Sequence, residues 1–279
     1  MPPVVATSSS ATVVVIAAVV AVVTAGCHRR DAAESAPPAV TGSATAAPPL
    51  PPPPPAPRPV GVETVPVDDD LPAFVVRASA GATASMLFIP GMCVHPGGYI
   101  QAFQYAAAAR GDLVTVQGDV ACGGDGSARR WSGDLDAMNE RIERAYRAAG
   151  LGEPRDVVVV GYSQGAERAE RLVARWPARY TRAVLIASPI VPSPLELRNA
   201  GAVVLMAGTF DAQTNMRGAV GPLRHAGIAA TFLELPGARH GQMGTGPEET
   251  MAEALDFALE RRKMNTAGAA PSHGGPAAR

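Results

Sequence analysis

The chain has 279 residues, 47% hydrophobic and 18% charged, and its 24 Lys plus Arg against 25 Asp plus Glu leave a net charge of −1. With no basic patch and no aromatic-interleaved basic stretch, nucleic-acid binding is unsupported. Lys263 is the only lysine, which argues against a P-loop, a pyridoxal Schiff base or a Ser-Lys dyad; no Cys/His cluster has metal-ligand spacing, so neither cofactor nor metal is expected.

The first 59 residues do not read as part of a folded core. Ala11 to Gly26 is an apolar run ending in small residues before Cys27, the pattern of a secretory leader over residues 1–27. Thr24-Ala-Gly-Cys27 resembles a bacterial lipobox, which implies lipidation at Cys27. It departs from that pattern in having Thr24 where Leu is usual, and the basic residues, Arg29 and Arg30, follow the run rather than precede it. A plain cleaved signal and an uncleaved anchor therefore stay open beside a lipid anchor. Residues 28–59, with Pro51 to Pro55 unbroken, cannot bury a core and read as an extended tether. The expected placement is exported, as a periplasmic or cell-surface lipoprotein. Residues 60–265 are then one domain of about 200 residues, enough for a sizeable core, and residues 266–279 a disordered tail.

Within the domain, apolar runs alternate with helical periodicity. Strands are expected at Ala73–Ser79, Ser85–Ile89, Asp112–Gln117, Val157–Val160, Ala183–Ala187, Ala202–Ala207 and Ala230–Leu235. Helices are expected at Tyr99–Arg110, Ser132–Ala149, Ala166–Trp176, Asn215–Ala226 and Pro247–Lys263. This alternation implies an α/β fold, a mostly parallel central sheet with helices on both faces. The arginines between Arg129 and Arg179 are spread over the helices and read as solvated faces.

The stretch Asp156-Val-Val-Val-Val-Gly-Tyr-Ser163-Gln-Gly-Ala166 places Gly161-x-Ser163-x-Gly165 between a buried strand and a helix, the setting of a nucleophile elbow. Asp211 follows the strand Ala202–Ala207, and His240 follows the strand Ala230–Leu235. Each candidate lies just past the carboxyl end of a strand, so a parallel sheet gathers all three on one edge. Of the other histidines, His28 lies in the tether, His273 in the tail and His225 on a helix, while His95 sits in a loop where it could touch substrate or bond its own loop. Asp211 has a plainer reading as a turn residue satisfying local N–H groups.

Over residues 72–263 the chain resembles the α/β-hydrolase superfamily, on the elbow, the Gly208-x-x-Asp211 turn and the Gly237-x-x-His240 turn. Gly-Tyr-Ser-Gln-Gly is also similar to the elbow of carboxylesterases, acyl-protein thioesterases and cutinases. The resemblance implies that the catalytic residues are Ser163 (nucleophile), His240 (base) and Asp211 (its orienting acid), in the family's chain order. It implies an oxyanion hole from the N–H of Met92, after the strand Ser85–Ile89, and the N–H of Gln164. Pro90-Gly91 stands where many members carry His-Gly. No lid domain is expected, because only 14 residues separate the strands ending at Ala187 and beginning at Ala202. An open site favours small or soluble acyl substrates, with Tyr162, Phe210, Met243, Met92, Ile190 and Val191 as pocket candidates or ordinary core residues.

Three cysteines are an odd count. With Cys27 acylated, Cys93 and Cys122 remain to form a disulfide in an oxidising compartment, or two free thiols. The expected activity is a serine hydrolase acting on a small-molecule carboxylic ester or thioester. The alternatives are a peptidase or amidase of the same fold, and a non-catalytic binding protein on a hydrolase scaffold.

Overall fold

The computed structural model describes residues Pro59–Ala267. The leader, Cys27, nearly all of the tether and the tail from residue 268 lie outside the described residues.

The centre of the molecule follows from four valines. Strand β7 (Val157–Tyr162) is buried along its whole length, and Val157 and Val159 face one core while Val158 and Val160 face the other. A strand covered on both faces gains about 1.5–3 kcal/mol per buried valine and belongs in the middle of a parallel sheet. It lies between β3 (Ala84–Ile89) and β8 (Tyr180–Ile186), both parallel to it. Beyond β8 come β9 (Ala202–Gly208) and β10 (Ala230–Leu235), again parallel. Beyond β3 come β4 (Gly111–Thr115), parallel, then β2 (Ala73–Val76) and β1 (Val62–Val65), antiparallel. The order of the eight strands is β1-β2-β4-β3-β7-β8-β9-β10. A separate ribbon pairs β5 (Val120–Ala121) with β6 (Arg129–Arg130).

Helices cover both faces. On one lie α3 (Leu135–Ala148), α4 (Gln164–Arg175) and α5 (Thr214–His225), which contribute Ile142, Leu172 and Leu223. On the other lie α1 (Pro96–Gln101), α2 (Gln104–Ala108) and α6 (Pro247–Ala267), which contribute Ile100, Ala107 and Leu255.

Three expectations change. The helix expected over Tyr99–Arg110 is two short helices, broken where Phe103 turns its ring onto Phe88 with centroids 5.8 Å apart. The second helix has no side-chain cap of its own. Instead the Glu248 carboxylate of α6 accepts the N–H groups of Tyr105 (3.0 Å) and Ala106 (2.6 Å), satisfying donors that a helix start leaves open. The strand from Ala73 stops at Val76, and β1 was not expected at all. The long helix begins at Leu135 rather than Ser132, because Asp134 caps it by accepting the Ala137 N–H at 3.0 Å.

Candidate active site

At the carboxyl end of β7 the chain turns directly into α4, and the turn residue is Ser163, with φ 53° and ψ −119°. A non-glycine residue there costs on the order of 1–3 kcal/mol, so the fold must impose it. Two glycines do so by close approach rather than by unusual dihedrals of their own. A Cβ on Gly161 would come within 2.4 Å of the Gly165 carbonyl oxygen, and one on Gly165 within 2.0 Å of the Ile89 carbonyl oxygen. The motif's glycines interlock β7, α4 and the end of β3, and the strain falls on the serine.

Asp211 and His240 follow β9 and β10, which lie beyond β8 in the sheet. β9 ends at Gly208, where an added Cβ would lie 2.3 Å from the Ala238 carbonyl oxygen. That contact seats the aspartate turn against the histidine loop, and the Phe210 N–H donates to the same oxygen at 2.9 Å. His240 Nδ1 lies 3.0 Å from Asp211 Oδ2, and His240 Nε2 lies 3.0 Å from Ser163 Oγ. The other Asp211 oxygen accepts the Ala212 N–H at 2.7 Å. A carboxylate only accepts, so Nδ1 carries the imidazole proton and the Nε2 lone pair faces the serine hydroxyl. The Asp211 side chain is 9% exposed and that of His240 55%, which leaves the imidazole open to solvent and the carboxylate shielded.

Two tyrosines hold the histidine loop. The Gly241 N–H donates to Tyr162 Oη at 2.8 Å, and Tyr99 Oη–H donates to the Gly241 carbonyl at 3.0 Å. Burial pushes the Tyr162 hydroxyl up to about 12 and raises that of Tyr99. Both therefore stay neutral, and Tyr162 can accept from Gly241 while donating to the Gln242 carbonyl at 3.4 Å. Tyr162 is thus a buried brace under the loop. Met243 lines a cleft of about 580 Å³ beside the histidine, together with His95, Tyr99, Ala102 and Thr245. Phe210 stands outside that cleft on the rim, 63% exposed, with the Arg239 guanidinium carbon 5.5 Å from the centre of its ring. His95 caps α1 by accepting the Gly97 N–H at 3.2 Å, and His225 ends α5; neither bonds Ser163.

No protein-family model and no curated protein matches the sequence. Among solved structures, the chain is similar to the esterase PE8 (19% identity, TM-score 0.52, covering 72% of this chain and 100% of that one). It is likewise similar to TT1662 from Thermus thermophilus (16% identity, TM-score 0.54, 73% of this chain and 99% of that one). A third likeness is to the Bacillus cereus carboxylesterase (19% identity, TM-score 0.53, 69% of this chain and 96% of that one). The chain has the α/β-hydrolase fold.

The loop after β3 lies close against Ser163. A Cβ on Gly91 would lie 3.2 Å from Ser163 Cβ and 3.3 Å from the Tyr162 carbonyl oxygen. Met92, next in the chain, is 57% exposed. Gln164 opens α4, so its N–H has no partner within the helix. Cys93 is bonded to Cys122, with Cα atoms 5.5 Å apart, which joins the loop after β3 to the β5–β6 ribbon. Sequence reasoning missed Tyr99 and Trp131, whose contacts join segments far apart in the chain. Among the described residues no group of three or more His, Cys, Asp or Glu side chains is placed to hold a metal ion.

Proposed function

We propose that this protein is a serine hydrolase that cleaves carboxylic esters or thioesters through an acyl-enzyme. The observation that carries the reading is the unbroken line from Ser163 Oγ through His240 to Asp211, with both links at 3.0 Å, set on a strained elbow. Ser163 Oγ attacks the acyl carbonyl carbon while His240 Nε2 takes its proton. The negative charge that develops on the carbonyl oxygen meets the N–H groups of Met92 and Gln164. Two fixed donors of this kind are usually the largest catalytic contribution. Collapse expels the alcohol or thiol, protonated by His240. Water then attacks the acyl carbon as His240 takes its proton, and the second collapse breaks the bond to Ser163 Oγ, which receives that proton from His240 as the acid leaves. Asp211 keeps the imidazole in the required tautomer and stabilises its charged form.

The connection from Ala187 to Gly201 carries no helix, and the exposed imidazole supports an open site suited to small or soluble acyl substrates. The apolar leader and Cys27 support an exported, membrane-tethered setting. The test is hydrolysis of p-nitrophenyl esters from acetate to palmitate by the purified protein and by Ser163→Ala. The expected result is activity strongest on short chains and reduced to background in the variant. Equal rates in both proteins, or activity only on amide substrates, would overturn the esterase reading.

A further inference from the structure

The serine and histidine have visible supports, but the two proposed oxyanion donors come from different segments, and something must hold them in register. Met92 lies between Pro90-Gly91 and Cys93, and both Pro90 and Cys93 are pinned by one short segment. The Trp131 indole N–H donates to the Pro90 carbonyl at 2.9 Å, and the Cys93 N–H donates to the Arg129 carbonyl at 2.7 Å. The same segment reaches the other donor. The Trp131 backbone N–H donates to Gln164 Oε1 at 3.0 Å, and Gln164 Nε2 donates to the Trp131 carbonyl at 3.2 Å. Trp131 is 2% exposed and packs in the core on the α4 side of the sheet. Its ring is a fixed strut rather than a surface group.

We propose that Trp131 is a positioning residue that sets the spacing between the Met92 and Gln164 N–H groups, clamping the loop after β3 with its indole and the start of α4 with its main chain. This rests on the hydrolase reading and gives it a part it lacked. The surroundings make the clamp stiff. Arg129 and Arg130 pair with Ala121 and Val120, Val94 bridges to Arg129, and the Cys93–Cys122 bond closes the same unit. A Cβ on Gly118 would lie 2.4 Å from the Arg130 carbonyl oxygen, so the end of the β4 connection backs onto the segment too. Donors aimed at an oxyanion stabilise the transition state only when already in place, and a displacement of about 1 Å can cost on the order of 100-fold. Trp131 touches no reacting atom; its effect passes through Met92 and Gln164.

Two variants separate positioning from packing. Trp131→Phe keeps an aromatic ring and removes the indole N–H. Gln164→Met keeps side-chain length and the Gln164 backbone N–H but removes both bonds to Trp131. Each would be measured in the full chain for kcat, KM, Tm and inhibition by an alkyl boronic acid that mimics the tetrahedral state. The expected result is a fall in kcat of about 10- to 100-fold, KM within about twofold of wild type, boronate inhibition weakened in parallel with kcat, and a kcat-pH profile that keeps its midpoint because the Asp211–His240 pair is untouched. If Trp131→Phe fails to fold, Gln164→Met carries the same test. Unchanged kcat in the folded variants overturns the inference, as does a loss that appears in KM with boronate affinity retained. Wild-type activity that survives Ser163→Ala would instead overturn the hydrolase reading, and this inference with it.

Discussion

Glu170 carries a charge in the wrong place. It lies on α4, two turns past Ser163, and is 1% exposed. One carboxylate oxygen accepts the Ser193 N–H at 2.7 Å, and the other has no hydrogen-bond partner among the described residues. Burial pushes its pKa up from 4.5 to about 7; the Ser193 bond opposes this, and the nearby Glu196 charge adds to it. The folded state therefore holds this proton more tightly than the unfolded chain does. As pH rises from 4.5 through 7, the unfolded chain ionises more easily, and stability falls. At 1.36 kcal/mol per pKa unit the full effect above pH 7 has a ceiling of about 3 kcal/mol. Glu170→Gln keeps the volume and an acceptor for Ser193 but never ionises. It should be the more stable protein at pH 8.5, by up to about 3 kcal/mol, or roughly 6–12 °C in Tm for a domain of this size. The gap should shrink to under about 1 kcal/mol at pH 5, where the wild-type carboxyl is largely protonated. Thermal melts by circular dichroism at the two pH values decide it. A variant that melts below wild type at pH 8.5, or a gap that does not change with pH, would refute the reasoning.

Asp211→Asn should leave the fold intact and lower kcat on the order of 10,000-fold by favouring the wrong imidazole tautomer; Tm and single-turnover kinetics check both halves. Gly165→Ala drives a methyl to 2.0 Å from the Ile89 carbonyl oxygen, so the elbow and β3 must part. The expected result is a loss of roughly 3 kcal/mol or more in urea unfolding together with most of the proposed esterase activity. The Cys93–Cys122 bond spans a sequence separation of 29, which corresponds to about 3–4 kcal/mol of loop-closure entropy. A reductant should lower the Tm of the wild type and leave that of the Cys93→Ser/Cys122→Ser double variant unchanged.

The residues that were legible in the sequence share a physical cause. Val157 to Val160 are buried on both faces, so their run is continuous and cannot be mistaken for a surface strand. Asp211 and His240 sit within a few residues of the ends of β9 and β10, so parallel pairing alone carries them to the edge where Ser163 stands. β1 was hidden because none of its residues is fully buried and its one strand partner among the described residues is β2. The break between α1 and α2 depends on Phe88 and on Glu248, which caps from more than 140 residues away. Tyr162 reads equally as a pocket residue or a core residue, and only its bonds to Gly241 and Gln242 show it to be a brace. Trp131 had no local signature, since a clamp is a relation between Pro90 and Gln164 rather than a property of tryptophan.

The interlock of Gly165 with Ile89 also bears on how the protein comes into being. The conformation of Ser163 depends on β3 lying beside β7, and the paired residues Ser85 and Val157 are separated by the whole of α1 through α3. Such distant pairings close slowly, because chain entropy is lost before contacts compensate for it. A nascent or refolding chain can thus form α4 locally while its serine is still an ordinary helix-flanking residue. On the proposed reading, chemical competence arrives only with the completed sheet, and an immature chain would present no activated serine.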